Sequence, residues 1–176
     1  GIQWGFEYRY VLDDNSKGTF MFDMLDDRKI DDGTGDSSKK WGYENDDLLR
    51  PNSDRYWFRM KHNQALPGDI KSQLDLDIVS DQDYLREFRT GYMGFDDTRE
   101  YYTKNFNREI DEYNDTVRIN RVNASRNWMR SSLSAEFRYY DDIIKRRWEA
   151  QDDTLHKLPY VGFSMIQQSL GSRHLY

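Results

Sequence analysis

From Ile2 to Leu12 every even-numbered residue is apolar or aromatic: Ile2, Trp4, Phe6, Tyr8, Tyr10 and Leu12, with Gln3, Gly5, Glu7 and Arg9 between them. Successive side chains of an extended chain point to opposite sides, so this period of two describes a ribbon with one apolar and one polar face. The pattern returns as Phe20, Phe22, Met24, as Tyr56, Phe58, Met60, as Leu74, Leu76, Ile78, and as Leu133, Ala135, Phe137, Tyr139. Two weaker stretches are residues 117–124, where Arg121 interrupts the apolar run, and residues 161–170, where the alternation drifts. An all-β chain of about seven strands is predicted.

The intervening segments alternate in length. Residues 13–17 are a short connection and 26–54 a long one; 64–69, with Pro67-Gly68, are short and 80–115 long; a tight turn is expected near Arg126, and 145–158 are long again. If neighbouring strands are antiparallel in an up-and-down meander, all short turns fall on one edge and all long loops on the other, the asymmetry of outer-membrane barrels. The long loop after residue 79 carries helix signals. Ser80 as N-cap with Asp83 three residues on, then Tyr84, Leu85 and Phe88 at helical spacing, predicts a helix over residues 81–89. Tyr101, Tyr102, Phe106 and Ile110 suggest a second over residues 97–110.

Composition bounds the surroundings of such a sheet. The chain is 33% charged with a mean hydropathy of -1.04, yet 15% aromatic, and so many rings are foreign to a disordered chain. No run of 18 apolar residues exists, which excludes a spanning helix, whereas a spanning strand needs only about 9 to 11 alternating residues. A net charge of -6 argues against a nucleic-acid partner. The absence of cysteine removes disulfides and thiolate chemistry.

Alternation alone does not say what the apolar face meets. Phe6, Phe22, Phe58, Leu76 and Phe137 are the candidate lipid-facing residues, and Arg9, Arg59, Lys61, Asp75, Asp77, Arg118, Glu136 and Arg138 the candidate lumen-facing ones. Aromatics near the strand ends form two bands: Trp4, Tyr56, Trp57, Tyr139, Tyr140 and Tyr160 toward the long loops, and Tyr8, Tyr10, Phe20 and Trp128 toward the short turns. Tyr and Trp gather in this way at membrane interfaces. A general porin, and a secreted soluble β-sandwich that binds glycans, share the same pattern.

Catalytic signatures are weak. Asp-Asp pairs recur, and Asp31-Asp32-Gly33-Thr34-Gly35-Asp36 has acids and a turn, but it lacks the spacing and distal Glu of a calcium loop. His62, His156 and His174 stand apart, and neither a nucleophile elbow nor a glycine-rich phosphate loop is present. No enzymatic role, cofactor or metal is expected.

The passage Leu74-Asp75-Leu76-Asp77-Ile78-Val79-Ser80-Asp81-Gln82-Asp83-Tyr84-Leu85-Arg86-Glu87-Phe88 resembles the lipopolysaccharide-assembly outer-membrane protein family LptD (OstA/Imp), in which a strand runs into V-S-D-x-x-Y-x-x-x-F. Gly1-Ile2-Gln3-Trp4 to Tyr8-Arg9-Tyr10, Arg55-Tyr56-Trp57-Phe58 to His62-Asn63, and Thr154-Leu155-His156-Lys157-Leu158-Pro159 resemble it in the same order. The resemblance implies a large barrel in the Gram-negative outer membrane that takes lipopolysaccharide from a periplasmic LptA-like bridge and releases it into the outer leaflet, with an LptE-like lipoprotein inside. Residues 1–176 would be a single internal segment of it, without the N-terminal periplasmic domain, the remaining strands or the lateral-gate residues. Ordinary barrel practice puts the long loops outside the cell, whereas a strand count drawn from the resemblance puts them in the periplasm; both placements stand at this point.

Overall fold

A computed structural model describes residues 1–29, 53–147 and 157–166. The seven strands are β1 (Ile2–Asp13), β2 (Ser16–Asp26), β3 (Asp54–Leu66), β4 (Ile70–Val79), β5 (Val117–Asn127), β6 (Ser131–Asp142) and β7 (Lys157–Met165). They form one antiparallel sheet in sequence order, and β1 does not meet β7. The meander therefore forms as its alternation predicts, and the sheet is open.

All three short turns lie on one rim. The β3–β4 turn places Gly68 and Asp69 in the left-handed region (φ 80 and 60) after Pro67, a job that glycine does without steric cost. The turn expected near Arg126 instead occupies residues 128–130, closed by Trp128 N–H donating to the Ser131 carbonyl at 2.8 Å, and Arg126 belongs to β5. The long connections share the other rim. The acidic turn at residues 31–36, His156, His174 and the end of the 161–170 stretch lie outside the described residues.

Helices α1 (Gln82–Glu87) and α2 (Phe95–Phe106) occupy the β4–β5 connection, and α3 (Ile143–Arg147) follows β6. The N-cap of α1 is Asp81 rather than Ser80: the Asp81 carboxylate accepts from Tyr84 N–H at 2.8 Å, while the Ser80 hydroxyl donates to that carboxylate at 2.7 Å. The shift has a physical cause, because the same carboxylate is drawn to Arg55 of β3. Helix α2 begins at Phe95, two residues before the expected start. It ends at Asn107, whose left-handed backbone (φ 51) returns its N–H to the Thr103 carbonyl, so Ile110 reaches the core from beyond the helix.

The core lies between this insert and the odd-numbered face of the sheet. Met21 of β2, Trp57 of β3 and Val79 of β4 pack with Tyr84, Leu85, Phe95, Tyr102, Phe106 and Ile110, and Ile143 of α3 joins them. A helix the length of α2 is marginal alone in water. Burying side chains such as Phe95 and Leu85 contributes roughly 1.5 to 3 kcal/mol each, so docking on the sheet is what holds the insert helical.

Candidate functional site: two faces of one sheet

Cross-strand register assembles the open face. Phe6 opposes Phe22, Phe22 opposes Phe58 and Phe58 opposes Ile78; Leu74 opposes Val122, Val122 opposes Phe137, and Leu133 opposes Phe163. Edge-to-face ring pairs run along it, Phe6 with Phe20 at 5.8 Å and Phe20 with Phe58 at 5.1 Å. Phe6 and Phe137 are exposed, and Phe22, Phe58 and Leu76 are half-buried by their in-sheet neighbours alone.

The opposite face inverts ordinary burial. A single row crosses six strands as Arg9, Thr19, Lys61, Asp75, Arg121 and Arg138, each opposing the next. Over β2 to β4 the insert covers this polar face, so its charges are buried and must be paired, since an unpaired charge away from water is strongly unfavourable. Asp75 receives three cations: Lys61 at 3.3 Å, Arg108 at 2.9 Å and Arg121 at 2.7 Å. Asp77 accepts from the Trp57 indole at 2.8 Å and from Arg118 Nε at 2.8 Å. Arg59 pairs with Asp23, donates to the Met93 carbonyl at 2.7 Å and lies 3.9 Å over the Trp57 ring.

At the long-loop rim Arg55 holds two connections together. It binds both carboxylate oxygens of Asp81 at 3.0 and 2.8 Å, Asp27 at 2.8 Å and Glu87 at 2.7 Å. Burial pushes Asp81 toward the neutral form, but Arg55, the Ser80 hydroxyl and the Tyr84 amide outweigh it and hold the carboxyl below its usual range. Asp27 is likewise held down against burial by the Lys29 amide and Arg55. Asp111 goes the other way, burial outweighing the Ile119 amide and Arg118. The Tyr84 hydroxyl is pushed up to about 12 by burial and Asp23.

Seven of the eight residues assigned by parity to the polar face share it. The eighth, Arg118, has the parity of Val122 and the open face, yet it is buried against Asp77. The β4–β5 ladder stops at Asp75 and Arg121, and Asp77 N–H donates instead to the Asn120 side chain at 2.9 Å, so β5 leaves its neighbour there. Accessibility separates the candidates further: the Arg59 and Arg118 side chains are 0% exposed and that of Lys61 4%, against 46% for Arg9, 32% for Arg121 and 33% for Arg138. The last three keep part of their side chains open to solvent, although the Arg9 guanidinium lies 3.9 Å over the ring of Tyr101 in α2 and Arg138 contacts Glu136 at 3.0 Å.

The aromatic bands need correction. Trp57 is fully buried in the core, and Tyr140 and Tyr160 lie on the polar face, opposite Ile119 and Glu136; Trp4, Tyr56 and Tyr139 remain toward the long-loop rim on the open face. Parity reading missed Arg121, whose phase follows from Val122 and Ala124, and it had no signal for Arg55 or Arg108, which act through partners distant in sequence. Among the described residues no three His, Cys, Asp or Glu side chains converge as ion ligands.

The family model of LPS transport system D, LptD, matches residues 53–176. No curated protein matches the chain.

Proposed function

The chain belongs to the LPS transport system D family, which works in lipopolysaccharide transport and assembly at the outer membrane, and from that premise we propose that its sheet is a sector of the wall of the outer-membrane translocon that inserts lipopolysaccharide into the outer leaflet. Its strands cross the bilayer, the open face meets acyl chains and the insert-bearing face looks into the lumen. The observation that carries this reading is the inverted burial: Arg59, Lys61, Asp75 and Asp77 are buried while Trp4, Phe6 and Phe163 are exposed. Strand length supports it. At about 3.3 Å per residue and a tilt of about 40°, the 12 residues of β1 rise roughly 30 Å, enough for an apolar band about 25 Å tall.

The open edges of β1 and β7 pair with further strands of the same barrel. A partner lipoprotein of the LptE kind sits in the lumen, and an LptA-like bridge delivers the lipid through a periplasmic domain. Arg9, Arg121 and Arg138 are the cations a phosphorylated saccharide can reach, whereas Arg59, Lys61 and Arg118 fasten the insert. Transport of this kind needs no catalytic residue. Among the described residues no second sheet lies over the open face, the arrangement a soluble glycan-binding sandwich would require.

Adjacent residues of β6 test the two faces. Arginine at Ala135, on the open face, is expected to impair assembly by about 2 to 4 kcal/mol if it sits near mid-bilayer, and arginine at Ser134, on the polar face, to be tolerated. Heat-modifiable mobility of the complete protein in outer membranes reads the difference, and equal tolerance would refute the membrane reading.

A further inference from the structure

Among the described residues the open face of the sheet carries one accessible lysine or arginine. Arg126 opposes Ile70 of β4 and Leu133 of β6, which fixes its side, and it stands at the short-turn end of β5. Arg118, the other cation of that parity, is buried against Asp77. The Arg126 guanidinium lies 4.7 Å over the Trp128 ring. Its head also rests above the β3–β4 turn, where a Cβ on Gly68 would touch Nη1 at 3.6 Å. Among the described residues no side-chain hydrogen bond or ion pair involves the Arg126 guanidinium, and Asp69 of the same turn does not pair with it.

A guanidinium keeps its charge at any pH a protein meets. On a face that meets acyl chains, such a cation must lie at the interface and find an anion there, and the fork of N–H donors matches a phosphate through two parallel bonds. Trp128 fits the same level, because an indole holds its apolar body in the chains and its N–H among the headgroups. The aliphatic stem of Arg126 can lie along Leu133 and Ile70 while its head reaches the headgroups.

We propose that Arg126 and Trp128 form a binding site for the phosphodiester of a membrane glycerophospholipid, on the outside of the sheet at its short-turn rim. The site rests on the reading of the open face as lipid-facing. It lies on the side away from the lumen, so it holds structural lipid and not transported cargo. The lipid anchors the short-turn rim at a fixed depth in one leaflet.

The test uses the complete protein in dodecyl maltoside, a detergent without phosphate, with native mass spectrometry to count retained lipid. Dioleoylphosphatidylglycerol should be retained at least threefold less by Arg126→Gln and by Trp128→Leu than by the parent, with Arg126→Lys between. Dioleoylglycerol, which has the same chains and no phosphate, should show no dependence on residue 126, and millimolar inorganic phosphate should not displace the phospholipid. Equal retention by parent and Arg126→Gln, the same residue-126 dependence for dioleoylglycerol, or displacement by inorganic phosphate would each overturn the site. Quenching by brominated acyl chains, taken as the part lost in Trp4→Phe, checks the underlying reading separately: Trp4 quenched with retention unchanged rejects only the site, and Trp4 unquenched rejects the lipid-facing face itself.

Discussion

Arg55 is the clearest case of a residue whose role depends on its surroundings and not on its place in a pattern. Alternation assigns it to the polar face of β3, but its partners Asp81 and Asp27 lie 26 and 28 residues away, so nothing local announces the pairing. Asp81, held below its ordinary value near 3.8, contributes stability that is present above the unfolded-state pKa of about 3.9 and lost as pH falls through the lower folded value. Acidification below about pH 4 should therefore loosen the insert, read as a red shift of Trp57 fluorescence as water reaches the core. Replacing Arg55 by Met leaves Asp81 buried without its main counter-charge, which costs about 3 to 5 kcal/mol and lets burial raise the carboxyl. The loosening should then begin at higher pH. An unchanged acid midpoint in Arg55→Met would show that the clamp does not hold the insert.

The elements divide by how local their determinants are. Strands β1 to β4 and β6 were legible because each needs only its own alternation. The short-turn rim was legible from Pro67-Gly68, although Trp128 to Arg130 turn two residues later than the position expected near Arg126. The start of α1 was misplaced by one residue because Ser80 and Asp81 are both good caps, and only the guanidinium across the sheet decides between them. That the insert lies on the polar face was not legible, since Tyr84, Leu85 and Phe88 in one helix and Tyr101, Tyr102 and Phe106 in the next read as apolar helix faces with no indication of which sheet face receives them. Phe95 stacks on Trp57 with centroids 6.2 Å apart and meets Tyr113 edge-on at 5.8 Å. Truncating it to Ala should cost about 3 to 5 kcal/mol. The loss should appear as protease cleavage within residues 80–116 while the amides of β2 and β3 stay protected from hydrogen exchange, because the β2–β3 ladder does not depend on the insert. Simultaneous loss of protection in those strands would mean that sheet and insert fold as one unit.

At the scale of the whole chain, the open apolar face and the two unpaired strand edges have one consequence in common. Among the described residues no strand pairs with the outer edge of β1 or with that of β7, so both present N–H and C=O groups for pairing. On the open face Trp4, Phe6 and Tyr8 of β1 at one edge and Val161, Phe163 and Met165 of β7 at the other are each more than half exposed, exposed apolar area of the kind that soluble monomers avoid. The insert stabilises the polar side of the sheet and does nothing for the other. Residues 1–176 expressed alone in water should therefore associate through edge pairing and face-to-face contact, at a rate that rises with concentration. Detergent should relieve the face contact but not satisfy the edges, leaving small oligomers rather than monomers. Light scattering across a detergent titration separates the possibilities: a monodisperse monomer without detergent, with a cooperative melt, would show that the open face is covered in solution and would contradict the lipid-facing assignment, whereas aggregates that detergent reduces to small oligomers are the outcome that a wall sector of a larger barrel requires.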